Sequence, residues 1–74
     1  MNKVRLGKLR NARELIDRCA SLVEACEEEE SDAMDNIPEN LQSGELYMSM
    51  EDNVERMQDI LTRIEECQEL FGEF

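Results

Sequence analysis

Seventy-four residues are enough for one domain but too few to bury a large hydrophobic core, so the chain needs a staple or a partner for stability. The net charge is −11, histidine is absent and aromatic residues make up 4%, a composition that favours helices over β-structure and excludes histidine-based acid–base chemistry. No secretory signal and no apolar run of membrane-spanning length occur, which predicts a cytoplasmic protein with no membrane partner.

The three cysteines, Cys19, Cys26 and Cys67, show neither CxxC nor Cys/His metal spacing. Cys19 and Cys26 lie two helical turns apart, about 10 Å along a helix, which is too far for a disulfide between them. We therefore expect three buried thiols, no metal site and no disulfide staple.

The first predicted element is a helix over about residues 3–34. Small or apolar residues recur there with alternating spacings of three and four, interrupted by Glu30. They are Leu9, Ala12, Ile16, Cys19, Val23, Cys26 and Ala33. Leu15 and Leu22 add a second apolar column, so the apolar stripe is wider than a two-helix contact needs.

A turn is predicted over about residues 35–44, because Pro38 forbids a continuous helix and the surrounding Asn, Ser and Gly residues favour turns. Ser43 is the expected N-cap of the next helix, with Ser49 as a competing start. Ile37 and Leu41 are expected to cover the end of the core.

The second predicted helix covers about residues 45–71 and is expected to end at Gly72. Its apolar stripe, interrupted by Gln68, comprises Tyr47, Met50, Val54, Met57, Leu61, Ile64 and Phe71. A second column comprises Leu46, Ile60, Cys67 and Phe74. Phe71 is interpreted as a cap on the core, with a C-terminal docking tail that includes Phe74 as the alternative.

These elements predict an all-α, coiled-coil-like antiparallel hairpin that forms a single domain over residues 1–74. The second apolar columns should stay exposed in a single hairpin, and pairing two hairpins into a four-helix bundle would bury them. The self-association residues are then Leu15, Leu22, Ile60 and Cys67. A trimer, or a hairpin docked on a different protein, satisfies the same pattern.

Charge is unevenly distributed along the chain. Residues 1–26 carry six cations and three acids, whereas residues 27–74 carry two cations and sixteen acids. Antiparallel folding is expected to lay the basic start of the first helix beside four carboxylates near the end of the second. These are Glu65, Glu66, Glu69 and Glu73.

The opposite end of the hairpin should form an acidic tip, because no Lys or Arg occurs between Arg18 and Arg56. The tip residues expected to bind a partner are Glu27, Glu28, Glu29, Glu30, Asp32, Asp35, Glu45, Glu51 and Asp52. One interpretation is a solvated surface that maintains solubility. The other is a surface for a basic protein, since concentrated like charges cost stability.

No pattern for catalysis or for a cofactor is present. Residues 32–39 lack the register of a calcium-binding loop, and a chain without histidine cannot supply the Glu-x-x-His motif of di-metal bundles. Adjacent carboxylates such as Glu65 and Glu66 point in different directions on a helix, so they do not form an acid–base pair. We expect a protein without enzymatic activity.

The stretch from Met34 to Ser43, followed by Tyr47 and Met50-Glu51, resembles a turn-and-helix pattern in short acidic helical proteins of Gram-positive bacteria and their phages. The resemblance covers roughly the second half of the chain. It implies a bacterial or phage origin, but that group carries no assigned activity and no functional residues transfer from it.

Two functions follow as hypotheses. The first is a phage-type inhibitor whose acidic surface binds a basic, nucleic-acid-binding surface of another protein, without binding nucleic acid itself. The second is a structural or regulatory oligomerisation module that binds through its apolar helix faces.

Overall fold

The computed structural model describes all residues from 1 to 74 and contains two long helices joined by a short connection. Helix α1 spans Lys3–Asp35, a single 3₁₀ turn spans Glu39–Leu41, and helix α2 spans Glu45–Phe71. The two helices pack side by side in opposite directions and form a rod of 60 × 15 × 14 Å. The predicted helical hairpin and its helix boundaries are confirmed to within one residue.

Helix α1 begins with a side-chain cap. The Oδ1 atom of Asn2 accepts a hydrogen bond of 2.8 Å from the backbone N–H of Arg5. This bond satisfies one of the free N–H groups that every helix start exposes. No acidic residue lies in the first turn and no basic residue in the last, so the side chains do not complement the helix dipole.

Helix α2 begins without a side-chain cap, so the predictions of Ser43 as its N-cap and of Ser49 as a competing start are wrong. Gly44 is the N-cap residue, in an extended conformation. A Cβ atom on Gly44 would lie 3.2 Å from the carbonyl oxygen of Leu41, so the tight exit from the 3₁₀ turn favours glycine here. Glu45 then places a carboxylate in the first turn, where it complements the helix dipole.

The seam is the line of residues along which each helix contacts the other. On α2 it agrees with the predicted apolar stripe. Ile64 is the one buried residue of the chain, at 7% exposure, and the remaining seam residues are half-buried. These are Tyr47, Met50, Val54, Met57, Leu61, Gln68 and Phe71. Gly72 ends the helix as predicted, with its N–H bonded to carbonyls of the last turn.

The seam of α1 departs from its predicted stripe after Ile16, in the fourth turn. Cys19 and Cys26 are exposed, and Ala20 and Glu27 are half-buried in the positions that follow them. A helix with 3.6 residues per turn drifts by about 20° per heptad relative to a strict seven-residue repeat, which moves the contact line onto the next residues. The prediction of buried thiols is therefore wrong, and Cys67 is exposed as well.

The connection covers the end of the seam with different residues from those predicted. Ile37 is half-buried as expected, but Leu41 is 56% exposed. Gln42 is half-buried instead, and its Nε2 donates a hydrogen bond of 3.3 Å to the carbonyl oxygen of Ile37. A backbone carbonyl at this partly covered site needs a partner, which an amide provides and leucine cannot.

Candidate interaction surfaces

Three side-chain hydrogen bonds cross between the helices and define their register. Gln68 Nε2 donates to Asp17 at 2.9 Å, and Gln58 Nε2 donates to Glu27 at 3.3 Å. Asn53 Nδ2 donates to Glu30 at 2.9 Å. The two residue numbers in each pair sum to between 83 and 85. A residue of α1 and a residue of α2 therefore lie at the same height along the rod when their numbers sum to about 84.

Glu30 and Gln68 are the polar residues that interrupt the two apolar stripes, and both take part in these hydrogen bonds. The sequence marked them as gaps in the hydrophobic pattern but did not identify their partners, Asn53 and Asp17. Hydrogen-bonded polar residues within a seam favour one alignment of the two helices, because a shift of one turn would separate them.

One edge of the hairpin is apolar. Cys19 and Cys26 each precede a seam residue of α1, and Ile60 and Cys67 each precede a seam residue of α2. In an antiparallel helix pair, positions that precede the seam in this way lie on the same edge. Further round the same edge, α1 carries two leucines and α2 carries Arg56 and Arg63. The apolar residues of this edge form what we call the apolar face: Leu15, Cys19, Leu22, Cys26, Ile60 and Cys67.

The apolar face is uncovered in the single chain. Leu15, Leu22 and Ile60 are 54%, 70% and 42% exposed, and the three cysteines are exposed as well. The prediction that the second columns stay exposed in one hairpin is confirmed for all four predicted self-association residues. Cys19 and Cys26 belong to the same face and were missed, because the heptad pattern placed them in the seam.

The opposite edge of the hairpin is polar. The same helical geometry places Asp17 and Glu24 of α1 there, together with Gln58 and Glu65 of α2. Two of the three interhelical hydrogen bonds lie along this edge. The hairpin thus separates an apolar surface from a charged one.

The acidic tip comes together as predicted at the closed end of the hairpin. Asp52 lies level with Asp32, and Glu45 begins α2 directly after the turn. Glu27 and Glu30 are half-buried at the seam, where they accept the interhelical hydrogen bonds, whereas the other predicted tip residues are exposed. The exposed tip residues are Glu28, Glu29, Asp32, Asp35, Glu45, Glu51 and Asp52.

Ion pairs scarcely compensate this charge. The chain has one, between Arg63 Nε and Asp59 Oδ1 at 3.8 Å, and its exposed position makes it worth less than about 1 kcal/mol. Arg56 lies level with Glu28 at the inner border of the tip, but no carboxylate lies within 4.0 Å of it. The tip is therefore a region of concentrated negative charge.

The expected pairing between the basic start of α1 and the carboxylates near the end of α2 does not form. The register places Lys3 and Lys8 beyond the last residue of α2, and it places Glu65 and Glu69 level with Cys19 and Leu15. Because α1 overhangs α2 by more than one turn, its first cations have no carboxylate of α2 at their height. Arg10 and Arg13 lie near the height of Glu73, but no carboxylate lies within 4.0 Å of them.

A shallow cavity of about 180 Å³ lies at this open end of the hairpin. Its lining residues are Leu9, Arg10, Arg13, Phe71 and Phe74. Phe71 is half-buried, which agrees with its interpretation as a cap on the core, whereas Phe74 is 57% exposed. The cavity is small and partly open to solvent, so it provides no enclosed site for a substrate.

Neither helix is long and apolar enough to cross a membrane, and no group of three or more Cys, Asp or Glu side chains is arranged to hold a metal ion. No protein-family model matches the chain, and no curated protein or solved structure is significantly similar to it. Inferences about function therefore rest on the chemistry of the surfaces described above.

Proposed function

We propose that this protein is a non-catalytic interaction protein whose acidic tip binds a basic surface on a nucleic-acid-binding protein and competes there with nucleic acid, in the manner of a phage-type inhibitor. The observation that supports this function is the charge of the tip. Ten carboxylates lie between residues 27 and 52 without one Lys or Arg in that stretch. They occupy one end of a rod about 15 Å wide.

The physical reason is complementarity. Double-stranded DNA presents about one negative charge per 1.7 Å of its axis, and proteins that bind it carry matching arrays of Lys and Arg. A concentrated acidic surface on a rigid scaffold attracts such an array and accelerates association at low ionic strength. The same surface repels nucleic acid, so the proposal includes no direct contact with it.

Charge reversal tests the proposal. A variant with Glu28, Glu29, Glu51 and Asp52 all changed to Lys should lose partner capture, because it inverts the exposed part of the tip. A matched control with Glu65, Glu66, Glu69 and Glu73 all changed to Lys alters the net charge equally but leaves the tip intact.

Pull-downs from bacterial lysate at two salt concentrations, followed by elution with a DNA oligonucleotide, would provide the readout. We expect the wild type and the control to retain a basic, DNA-eluted partner and the tip variant to lose it. Equal retention by all three proteins, or the absence of any basic partner at low salt, would contradict the proposal.

A second function is favoured by a separate observation, the clustering of exposed apolar side chains on one edge of the hairpin. A structural or regulatory module that self-associates through the apolar face, forming a four-helix bundle, would use these residues directly. Polar replacement of Leu22 and Ile60 would then abolish activity, whereas tip variants would retain it.

A further inference from the structure

We propose that the apolar face binds a second copy of this chain in antiparallel orientation, about a two-fold axis that crosses the rod at mid-height. This inference deepens the second proposed function, since it states how the two copies would be arranged. It does not depend on whether the acidic tip has a partner.

The position of the apolar face supports self-pairing. On α1 it extends from Leu15 to Cys26, with its midpoint at residues 20–21, and on α2 from Ile60 to Cys67, with its midpoint at residues 63–64. The hydrogen-bonded register places these two midpoints at the same height. A two-fold axis at that height maps the face onto itself, which is the condition for an interface shared equally by two copies.

Side-chain size selects the antiparallel arrangement. When α1 lies antiparallel on the partner's α1 about this axis, Leu22 opposes Cys19 and Leu15 opposes Cys26. On α2, Ile60 likewise opposes Cys67. A branched aliphatic residue therefore meets a small one in each of the three pairs, and such alternation allows facing side chains to interdigitate.

The parallel arrangement fits less well. In that arrangement the two rods point in the same direction, and α1 of one copy lies on α2 of the other. Residues at equal height along the two rods then face each other. Cys19 of one copy would lie within one helical turn of Cys67 of the other, so two small side chains would be neighbours and leave a gap in the interface.

Charge selects the same orientation. A parallel dimer would stack two acidic tips, each with ten carboxylates between residues 27 and 52. An antiparallel dimer instead brings each tip to the partner's open end, where residues 1–13 carry five cations and no acid. These cations have no carboxylate within 4.0 Å in the single chain, so they are available to a partner.

Two rods that overlap over their whole length share an area sufficient for a specific dimer, with the apolar face at its centre and the charged ends at its borders. Full overlap of two rods with faces of 60 × 15 Å covers roughly 900 Å² on each, close to the ~800 Å² per partner of standard interfaces. The resulting bundle would present its two acidic tips at opposite ends, about 60 Å apart.

The first test measures mass and uses matched charge variants. Light scattering coupled to size exclusion should give twice the chain mass of 8.6 kDa for the wild type. Leu22→Glu should weaken dimerisation by about 100-fold, because each interface would bury unpaired carboxylates. Met48→Glu adds the same charge at a residue that is 57% exposed but lies outside the apolar face, and it should leave the dimer intact.

The second test measures orientation. A single spin label at Ser43→Cys, in a background with all three native cysteines changed to Ala, reports the distance between the tips. Light scattering first establishes that this background still forms dimers. The antiparallel dimer predicts roughly 50–60 Å and the parallel dimer less than about 25 Å. If the cysteine replacements prevent dimerisation, energy transfer between dyes on the N-terminal amines of the wild type distinguishes the same two cases.

A wild-type dimer that Leu22→Glu dissociates, with tips far apart, would support the inference. A monomer at all concentrations, a larger oligomer, dissociation by both variants, or tips close together would overturn it. These measurements use the purified protein alone, so a failure here is distinguishable from a failure of the tip to capture a basic partner.

Discussion

Ile64→Ala should cause a large loss of stability. Ile64 is 7% exposed and is the one buried side chain of the hairpin, whereas every other seam residue is at most half-buried. Truncation to alanine removes three carbon atoms from the best-packed point between the helices. Because no second buried layer exists, the rest of the seam cannot compensate for this loss.

The magnitude follows from that burial. Truncating a core isoleucine to alanine costs about 2–5 kcal/mol, and the half-buried surroundings here place the cost near the lower limit. Alanine regains about 0.4 kcal/mol of helix propensity, which leaves a net loss of about 2 kcal/mol. For a domain of this size, that loss lowers the melting temperature by roughly 10 °C.

Thermal unfolding followed by circular dichroism at fixed protein concentration measures this effect. Met48→Ala provides the control, because Met48 lies on the same helix and is 57% exposed. We expect the control to change the free energy of unfolding by less than about 0.5 kcal/mol. Equal effects of the two substitutions would refute the assignment of the seam.

Three further predictions concern the thiols, the register and the glycines. All three cysteines should react with a thiol reagent in dilute native protein, since all are exposed, and a protected thiol in the monomer would contradict the structure. Gln68→Ala should lower the free energy of unfolding by about 1 kcal/mol by removing the bond to Asp17, and Asp17→Ala combined with it should add little further loss. Gly7→Ala should stabilise α1 by about 0.5–1 kcal/mol, because a Cβ there meets nothing within 4 Å. Gly44→Ala should give no such gain, because its Cβ would lie 3.2 Å from a backbone carbonyl, and equal gains at both sites in chemical denaturation would argue against the tight turn.

The helices and their boundaries were predictable because local signals agree along the chain. Pro38 prevents a continuous helix, Gly72 ends the second one, and helix-forming residues occupy both long segments. The three–four spacing of α2 also identified its seam, including Ile64. These signals depend on backbone chemistry and on periodicity within one helix, both of which a sequence displays directly.

The seam of α1 was not fully predictable. On a straight helix, the residues that face a neighbour drift relative to a strict seven-residue repeat. A shift of one residue along the chain is enough to expose Cys19 and Cys26 and to bring the residues that follow them into the seam. Only the contact with α2 selected Ala20 and Glu27 in their place. The polar bonds from Gln58 and Gln68 to α1 decided which alignment the helices adopt.

The sequence by itself determined that this protein is a helical hairpin with a wide apolar pattern and an acidic middle, because these are properties of local composition and spacing. The tertiary structure alone decided the relative height of the helices and the edge to which each side chain belongs. That height depends on the length of the connection and on contacts between residues up to 51 positions apart. It left the first cations of α1 beyond the end of α2, and it brought six exposed apolar residues together on one face.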